Sequence, residues 1–173
     1  MEVSEPTVHD SIATVLQTID AQIRDIRRRI NDHIDQNPDL RGKRELLESI
    51  PGIATATSAQ LLVYLAQEGR FTKAKELGAF AGLTPRRIES GSSVKGKSRL
   101  SKMGEPRLRK ALYMPAIVAM RHNPVMAAFA QRLLARGKPK MVVIGAIMRK
   151  LIHLAFGVLK SGKPFDPKIG IAC

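Results

Sequence analysis

Apolar residues near the N-terminus recur at alternating spacings of four and three. They are Ile12, Leu16, Ile19, Ile23, Ile26 and Ile30. This narrow stripe is typical of the seam of a coiled coil, because a helix of a globular core has a broader apolar face. The segment Asn37-Pro38-Asp39 should break the helix. The pattern predicts a coiled-coil arm over residues 1–37, which needs a partner helix from another copy of the chain or from a larger protein.

From residue 41 onward the apolar spacing is helical throughout. It predicts helices over residues 41–50, 55–66, 72–81, 105–121, 124–135 and 141–159. Pro115 should kink or interrupt the segment in which it lies. The last segment is apolar on most sides and should form the buried centre of the bundle. Because no segment alternates like a strand, the predicted fold class is all-α, with a compact helical domain over residues 41–170.

The charge of the chain is unevenly placed, and this narrows the choice of partner. The 173 residues carry a net charge of +14, but residues 1–50 hold seven Lys and Arg against ten Asp and Glu. The remaining residues hold 22 Lys and Arg against five Asp and Glu. Such a surface favours a polyanion, meaning nucleic acid or an acidic membrane surface. The alternative is a basic surface that is merely solvated, as in ribosomal proteins.

Other features of composition point to the cell interior. The single cysteine, Cys173, excludes an internal disulfide and a Cys-based zinc site. The first residues are acidic and do not resemble a secretory leader. No run approaches the roughly 18 consecutive apolar residues of a membrane span. We therefore expect a reduced, cytoplasmic setting and no membrane partner.

Residues 47–62, L-E-S-I-P-G-I-A-T-A-T-S-A-Q-L-L, fit a helix-hairpin-helix within residues 41–66. In this motif the backbone N–H groups of a tight turn and of the second helix bind a phosphate. Gly52 would permit the close approach, Ile53 would anchor the hairpin, and Ala54 stands where a second glycine is usual. The alternative is an ordinary helical hairpin with Pro-Gly at its corner.

Residues 84–104 form a long polar segment without an apolar period, and it should be a loop. Clustered cations among serines and glycines suit contacts to a phosphate backbone. The candidate phosphate contacts are Arg86, Arg87, Lys95, Lys97, Arg99 and Lys102. A serine hydroxyl amid such cations is able to attack a phosphodiester, although a solvated loop serine is the simpler interpretation of any one of them.

Two further patterns do not indicate a ligand site. Residues 91–98 satisfy the string G-x-x-x-x-G-K-S of a nucleotide-binding P-loop, but no buried strand precedes them and no helical pattern follows. The four histidines, His9, His33, His122 and His153, lack the spacing of metal ligands. We expect neither ATP or GTP binding nor a metal site in this chain.

A set of ordered motifs along nearly the whole chain resembles a known family. The motifs are I-P-G-I-x-T-x-T-S-A-x-L-L (50–62), R-F (70–71), F-A-G-L-T-P-R-R (80–87), E-S-G-S-S (89–93), S-K-x-G (101–104), L-R-K-A-L-Y-M-P-A (108–116), M-R-K-L (148–151) and G-V-L-K-S-G-x-P-F-D (157–166). Together they resemble the C-terminal domain of the "IS one-ten" family of insertion-sequence transposases, the bridge-RNA-guided serine recombinases.

The resemblance implies a function and a nucleophile. In the family a serine followed by glycine attacks a DNA phosphodiester, and by motif this serine is Ser90. The arm would link domains and pair subunits, and DNA and a structured guide RNA would be the partners of a cytoplasmic, nucleoid-associated bacterial protein. Relatives begin with a resolvase-like domain whose acidic residues hold magnesium. This sequence lacks that domain, so it resembles a truncated transposase, and magnesium is expected only where the acidic domain is supplied.

Two functions remain open at this point. One is a DNA transposase or site-specific recombinase that uses Ser90, incomplete without the acidic domain. The other is a non-catalytic basic nucleic-acid-binding module or an inactive remnant. A covalent protein–DNA adduct that requires Ser90 would distinguish the first from the second.

Overall fold

A computed structural model of the chain describes residues 5–67, 69–86, 89–90, 94–95 and 99–168. The chain divides into two compact units, Met1–Arg41 and Gly42–Cys173. The described elements are mostly helical, as the sequence predicts. The helices are α1 Glu5–Gln36, α2 Pro38–Glu48, α3 Thr55–Leu65, α4 Ala74–Phe80, α5 Pro106–Ala111, α6 Tyr113–His122, α7 Pro124–Ala135 and α8 Lys140–Ser161.

Helix α1 is a single helix of 32 residues, longer than the apolar stripe within it. The six residues of the stripe are each between 41% and 56% exposed. After α1, Asn37 caps the next helix, because its Oδ1 accepts hydrogen bonds from the backbone N–H groups of Asp39 (3.1 Å) and Leu40 (3.2 Å). The predicted break at Asn37-Pro38-Asp39 is therefore confirmed. Whether the stripe forms a coiled coil stays a prediction.

Helix α8 is the central helix of the second unit. Its buried face carries Val143, Ile147, Leu151, Ala155 and Val158, and it packs against α4, α6 and α7. Burial of these side chains is the main source of stability here, at roughly 25 cal/mol per Å² of apolar area. The predicted buried helix is confirmed, but only one of its faces is buried.

By length and composition α8 also resembles a membrane span. Among the described residues it is the one helix that passes this test, with a mean hydropathy of 1.9. The core helix of a soluble protein passes the same test, and 44% of its apolar window is buried inside this chain. Its packing against three other helices accounts for that burial.

The predicted helix over residues 105–121 is two helices. Helix α5 ends at Ala111 and α6 begins at Tyr113, with Leu112 between them. Pro115 has no N–H group to donate to the carbonyl of Ala111, so the helical ladder is interrupted one turn before the proline. The predicted break is confirmed, and it places Pro115 in the first turn of α6, where its missing donor costs little.

Residues 84–104 differ from the predicted loop. They contain four two-residue strands, β1 Pro85–Arg86, β2 Glu89–Ser90, β3 Val94–Lys95 and β4 Arg99–Leu100. Strand β1 pairs with β4 and strand β2 pairs with β3, both antiparallel. The predicted all-α fold class is confirmed, and the predicted loop contains these two short strand pairs in addition. Residues 87–88, 91–93 and 96–98, which include Arg87, Lys97 and most of the P-loop-like string, lie outside the described residues.

Candidate nucleic-acid interface

Two glycines bring the ends of the segment 84–104 together. Gly82 has φ +67° and Gly104 has φ +133°, values that other residues rarely adopt. A Cβ on Gly104 would lie 2.2 Å from the carbonyl oxygen of Phe80, so the two chain segments touch through their backbones. The backbone N–H of Glu105 donates to that same oxygen at 2.7 Å. We call Phe80, Gly82 and residues 101–105 the neck of the segment.

Further hydrogen bonds close the neck. The backbone N–H of Ser101 donates to the carbonyl of Thr84 at 2.9 Å, and that of Lys102 donates to the carbonyl of Gly82 at 3.1 Å. The guanidinium of Arg109, on α5, donates to the carbonyls of Ala81 (3.1 Å) and Lys102 (3.3 Å). The neck is thus fixed to the helical body on both sides.

Strand β4 lies directly on α8. A Cβ on Gly145 would lie 3.0 Å from Cδ1 of Leu100, so the absence of a side chain on the helix lets the strand approach closely. Glycine inside a helix costs roughly 1 kcal/mol relative to alanine, and here the close contact offsets that cost. The segment that carries Ser90 is therefore anchored at its root against the central helix.

A groove opens beside this root. It has a cavity volume of about 1710 Å³ and is lined by α4, the β1–β4 pair, α7 with the α7–α8 connection, and α8. Its described lining contains no Asp or Glu. It contains nine cationic residues, Lys73, Lys75, Arg99, Lys102, Arg136, Lys138, Arg149, Lys150 and Lys160. We call this surface the basic groove, and its charge suits a polyanion.

The structure brings some of the sequence-predicted residues into the basic groove. Arg99 and Lys102 line it. Arg86 lies on β1 directly opposite Arg99 in the strand register, outside the lining. The backbone of Lys95 lies in β3 opposite Glu89, and that of Ser90 lies in β2 opposite Val94.

Seven of the nine groove cations are not among the sequence-predicted residues. They come from the start of α4, from the α7–α8 connection and from α8, which are far apart in the sequence. One pattern in the sequence could have indicated the contribution of α8 to this surface. On α8, Val142, Arg149, His153, Phe156 and Lys160 follow helical spacing and so share one face, opposite the buried face.

The cationic surroundings affect His153, which lies at the groove. Burial lowers the pKa of His153 below its usual value, and the charges of Arg149, Lys150 and Lys75 lower it further. Its Nε2 atom is buried and has no hydrogen-bond partner among the described residues, and a Cβ on Gly78 of α4 would lie 3.1 Å from it. The neutral form of the imidazole is therefore favoured at neutral pH.

One carboxylate near the groove is already engaged. Glu76 accepts hydrogen bonds from the backbone N–H groups of Thr72 (2.9 Å) and Lys73 (3.3 Å) and from the Thr72 hydroxyl. These hydrogen bonds, chiefly those from Thr72, lower the pKa of Glu76. The side chain caps the start of α4 and so fixes the segment that presents Lys73 and Lys75.

The α2–α3 corner shows where the predicted hairpin turn lies. Ser58 is buried and its hydroxyl donates to Glu48 Oε1 at 2.7 Å, which ties the two helices together. Gly52 has φ +109°, and a Cβ on it would lie 2.9 Å from that of Ala119 on α6. The close approach at Gly52 is thus to α6, and Ile53 is buried. Ala54 is exposed at the N-terminus of α3, and phosphate contact there stays a prediction.

We next consider whether the described residues form a metal site. Among the residues that the structure describes, no three His, Cys, Asp or Glu side chains come together as a cation site. These residues therefore offer no set of ligands that fits a magnesium ion.

Comparisons with known proteins agree with the motifs. The family model for the Transposase IS116/IS110/IS902 family matches residues 44–131. The pilin gene-inverting proteins of Moraxella lacunata and Moraxella bovis are each 39% identical over 137 residues, which is 79% of this chain and 42% of the relative. The transposase for insertion sequence element IS1328 of Yersinia enterocolitica is 30% identical over 152 residues, covering 84% of this chain and 43% of the relative.

A fourth relative matches more of the chain. The insertion element IS110 uncharacterized 43.6 kDa protein of Streptomyces coelicolor is 28% identical over 159 residues, which is 92% of this chain and 38% of the relative. The chain spans about two-fifths of the length of these curated relatives.

Proposed function

Because the chain belongs to the Transposase IS116/IS110/IS902 family, we propose that it is the part of a DNA transposase or site-specific recombinase that binds nucleic acid and supplies the nucleophilic serine. The observation that carries the proposal is the basic groove. It collects nine cations without a described carboxylate in its lining, and it lies at the root of the segment that bears Ser90.

The names of the relatives support the same activity. They assign pilin gene inversion to the Moraxella proteins and transposition to the Yersinia protein. Both processes break and rejoin DNA strands. We extend this activity to the present chain, with DNA as its principal partner and a structured guide RNA as the second.

The proposed chemistry is a serine-dependent strand transfer. The Oγ of Ser90 forms a bond to the phosphorus of a DNA phosphodiester, and the bond from that phosphorus to one sugar oxygen breaks. The proton of the serine hydroxyl passes to the solvent or to the leaving sugar oxygen, so a phosphoserine-linked strand and a free hydroxyl result. Attack of another strand's hydroxyl on the phosphoserine reverses these steps and rejoins the DNA. The groove cations hold the neighbouring phosphates and offset the charge of the transition state.

The arm has a separate role in this proposal. Its exposed stripe from Ile12 to Ile30 has the spacing of a coiled-coil seam, and isoleucines left about half exposed are the residues that a second helix would cover. We assign the arm to the pairing of two copies, which places two Ser90 segments in one assembly. Such an assembly would work on DNA in the cytoplasm, at the nucleoid.

A salt titration tests the binding part of the proposal. The double variant Arg149→Gln/Lys150→Gln should lower the magnitude of the slope of log affinity against log salt by roughly 2 for a labelled oligonucleotide. The matched control is Lys110→Gln/Arg121→Gln, which removes the same charge at exposed positions outside the groove lining. Equal slopes for the two double variants would show that the groove is not the binding surface.

Adduct formation tests the chemical part. The chain is combined with the N-terminal domain of a full-length relative, a guide RNA and magnesium, and covalent protein–DNA adducts are counted on a denaturing gel. Wild type should form the adduct, and Ser90→Ala should form none while it binds DNA equally well. Ser92→Ala, a nearby serine of the same segment, is the matched control and should retain the adduct. Equal adduct from Ser90→Ala and wild type would refute the nucleophile and leave a binding module.

A further inference from the structure

The lining of the basic groove is not uniformly polar. Its lining also contains the partly or largely exposed apolar residues Leu100, Met141 and Val142. Met141 is 63% exposed and Val142 is 50% exposed, although both belong to the central helix α8. A surface that served only to hold phosphates would gain nothing from exposed apolar side chains beside its cations. The groove therefore suits a ligand with both anionic and apolar parts.

Two aromatic rings extend this apolar floor. Phe129, on α7, has the Lys150 Nζ 5.4 Å from its ring centroid, and Phe156, on α8, has the Lys160 Nζ at 5.8 Å. Both rings and both lysines line the groove. Lysine is a flexible side chain, so its ammonium is able to move from the ring to a phosphate and uncover ring surface. At Phe129 the Cζ of Arg132 also lies 5.3 Å from the ring centroid, so Phe156 is the ring that a lysine movement uncovers most simply. An uncovered ring face between cations is a stacking platform for a nucleobase.

We infer that the basic groove binds a single-stranded, unstacked segment of nucleic acid, with bases on its apolar floor and phosphates on its cations. This inference rests on the proposed function and specifies the ligand of the same site. A B-form duplex presents phosphates and sugars and keeps its base faces stacked inside, so it cannot use Phe129, Phe156 or Met141. A single strand can present both of its surfaces at once.

The size and shape of the groove agree with such an occupant. Its volume of about 1710 Å³ is larger than the roughly 300–1,000 Å³ of small-molecule sites. It therefore suits several linked units of one ligand. An acidic membrane surface would also offer anions and apolar chains, but it favours a protruding amphipathic face, and this floor is concave and walled by α4, α8 and the β1–β4 pair.

The first test needs no variant. Binding of the whole chain is measured by fluorescence anisotropy to a labelled 12-mer of deoxythymidine, to the same length of abasic strand, and to a 12-base-pair duplex. The thymidine strand should bind at least tenfold more tightly than the abasic strand, because each base stacked on an aromatic ring contributes roughly a fivefold gain or more. Equal affinity for thymidine and abasic strands would overturn the inference.

A second test places the bases on the two rings. Phe129→Leu/Phe156→Leu keeps apolar side chains but removes the rings, and it should weaken binding of the thymidine 12-mer about tenfold or more without changing duplex or abasic binding. The matched control is Phe71→Leu, whose ring lies beside Arg70 and outside the groove lining. Circular dichroism confirms that each variant is folded. Loss of thymidine binding in the Phe71 variant alone would also contradict the assignment.

Further binding measurements distinguish a failure of this inference from a failure of the proposed function. Tighter binding of a uridine 12-mer than of a deoxyuridine 12-mer would identify RNA as the source of the strand, and the reverse would identify DNA, because these two strands differ only in the 2′-hydroxyl. If duplex and thymidine strand bind equally and the ring variant affects neither, the inference fails while the basic groove keeps its proposed role. If no nucleic acid binds and vesicles of phosphatidylglycerol do, both fail.

Discussion

The sequence marks two regions for contact with phosphate, and in both of them the glycines bring the backbone close to another part of the protein, but only the second region lies at the basic groove. At the α2–α3 corner, the side of Gly52 that lacks a Cβ faces Ala119 and Pro115 of α6, so the close approach serves packing within the protein. At the neck, Gly82 and Gly104 also allow close packing within the protein, and this packing joins the two ends of the segment 84–104. Arg99 and Lys102, beside this junction, line the basic groove.

In both regions the glycine indicates that another group comes very near the backbone. Only the tertiary structure shows whether that group belongs to the protein. At the corner Ala54 is exposed at the N-terminus of α3, and contact of Gly52, Ile53 or Ala54 with phosphate stays a prediction.

The largest expected effect comes from breaking the neck. In Gly104→Ala, a Cβ 2.2 Å from the Phe80 carbonyl oxygen, at φ +133°, forces the two segments apart. We expect a loss of about 3 kcal/mol or more in the free energy of unfolding, from backbone strain and overpacking together. Urea unfolding followed by circular dichroism measures it.

The control for this prediction isolates the contact from the backbone conformation. Gly137 also has a positive φ, +70°, but a Cβ on it would meet nothing within 4 Å. Gly137→Ala should cost about 1 kcal/mol, from strain alone. If the two alanine variants lose the same stability, the neck is not held by the close approach of Gly104 to Phe80.

A smaller effect is expected at the α2–α3 corner. Ala54 occupies the N-cap of α3 with extended backbone (φ −114°, ψ 175°) and makes no side-chain cap. Ala54→Asp and Ala54→Asn should therefore each stabilise the chain by about 1 kcal/mol. If the turn contacts phosphate, only the aspartate should repel it, so we expect Ala54→Asp to bind oligonucleotide several-fold more weakly than Ala54→Asn does. Equal affinities would identify an ordinary helical corner.

Much of the helical fold is predictable from the sequence because its signals are local. Helix α7 begins after Asn123 and ends at Ala135, as predicted, since Asn123 caps it through hydrogen bonds to the N–H groups of Val125 and Met126. The interruption before Pro115 follows from one missing donor. These features depend on residues within a few positions of each other.

The strand pairs and the groove depend on residues that are distant in the sequence. Strands β1 and β4 are too short to show alternation, and they pair because the neck brings residues 85–86 and 99–100 together. The groove assembles α4, the β1–β4 pair and both ends of α8. Arg99 and Lys102 are predictable from their local clustering in the sequence, but Lys73 and Arg149 come to line the same groove only after folding.

The smallest expected effect concerns His153, and it tests the burial and the charge around this side chain independently of any ligand. Burial and the charges of Arg149, Lys150 and Lys75 hold the pKa of His153 below its unfolded value of about 6.5. The folded state therefore binds fewer protons than the unfolded state, so stability is full above pH 6.5 and falls as the pH drops through that value. His153→Gln cannot titrate, and it should reduce the drop in melting temperature between pH 7.5 and pH 5.5. An identical drop in variant and wild type would mean that neither burial nor the groove cations hold the pKa of this imidazole down.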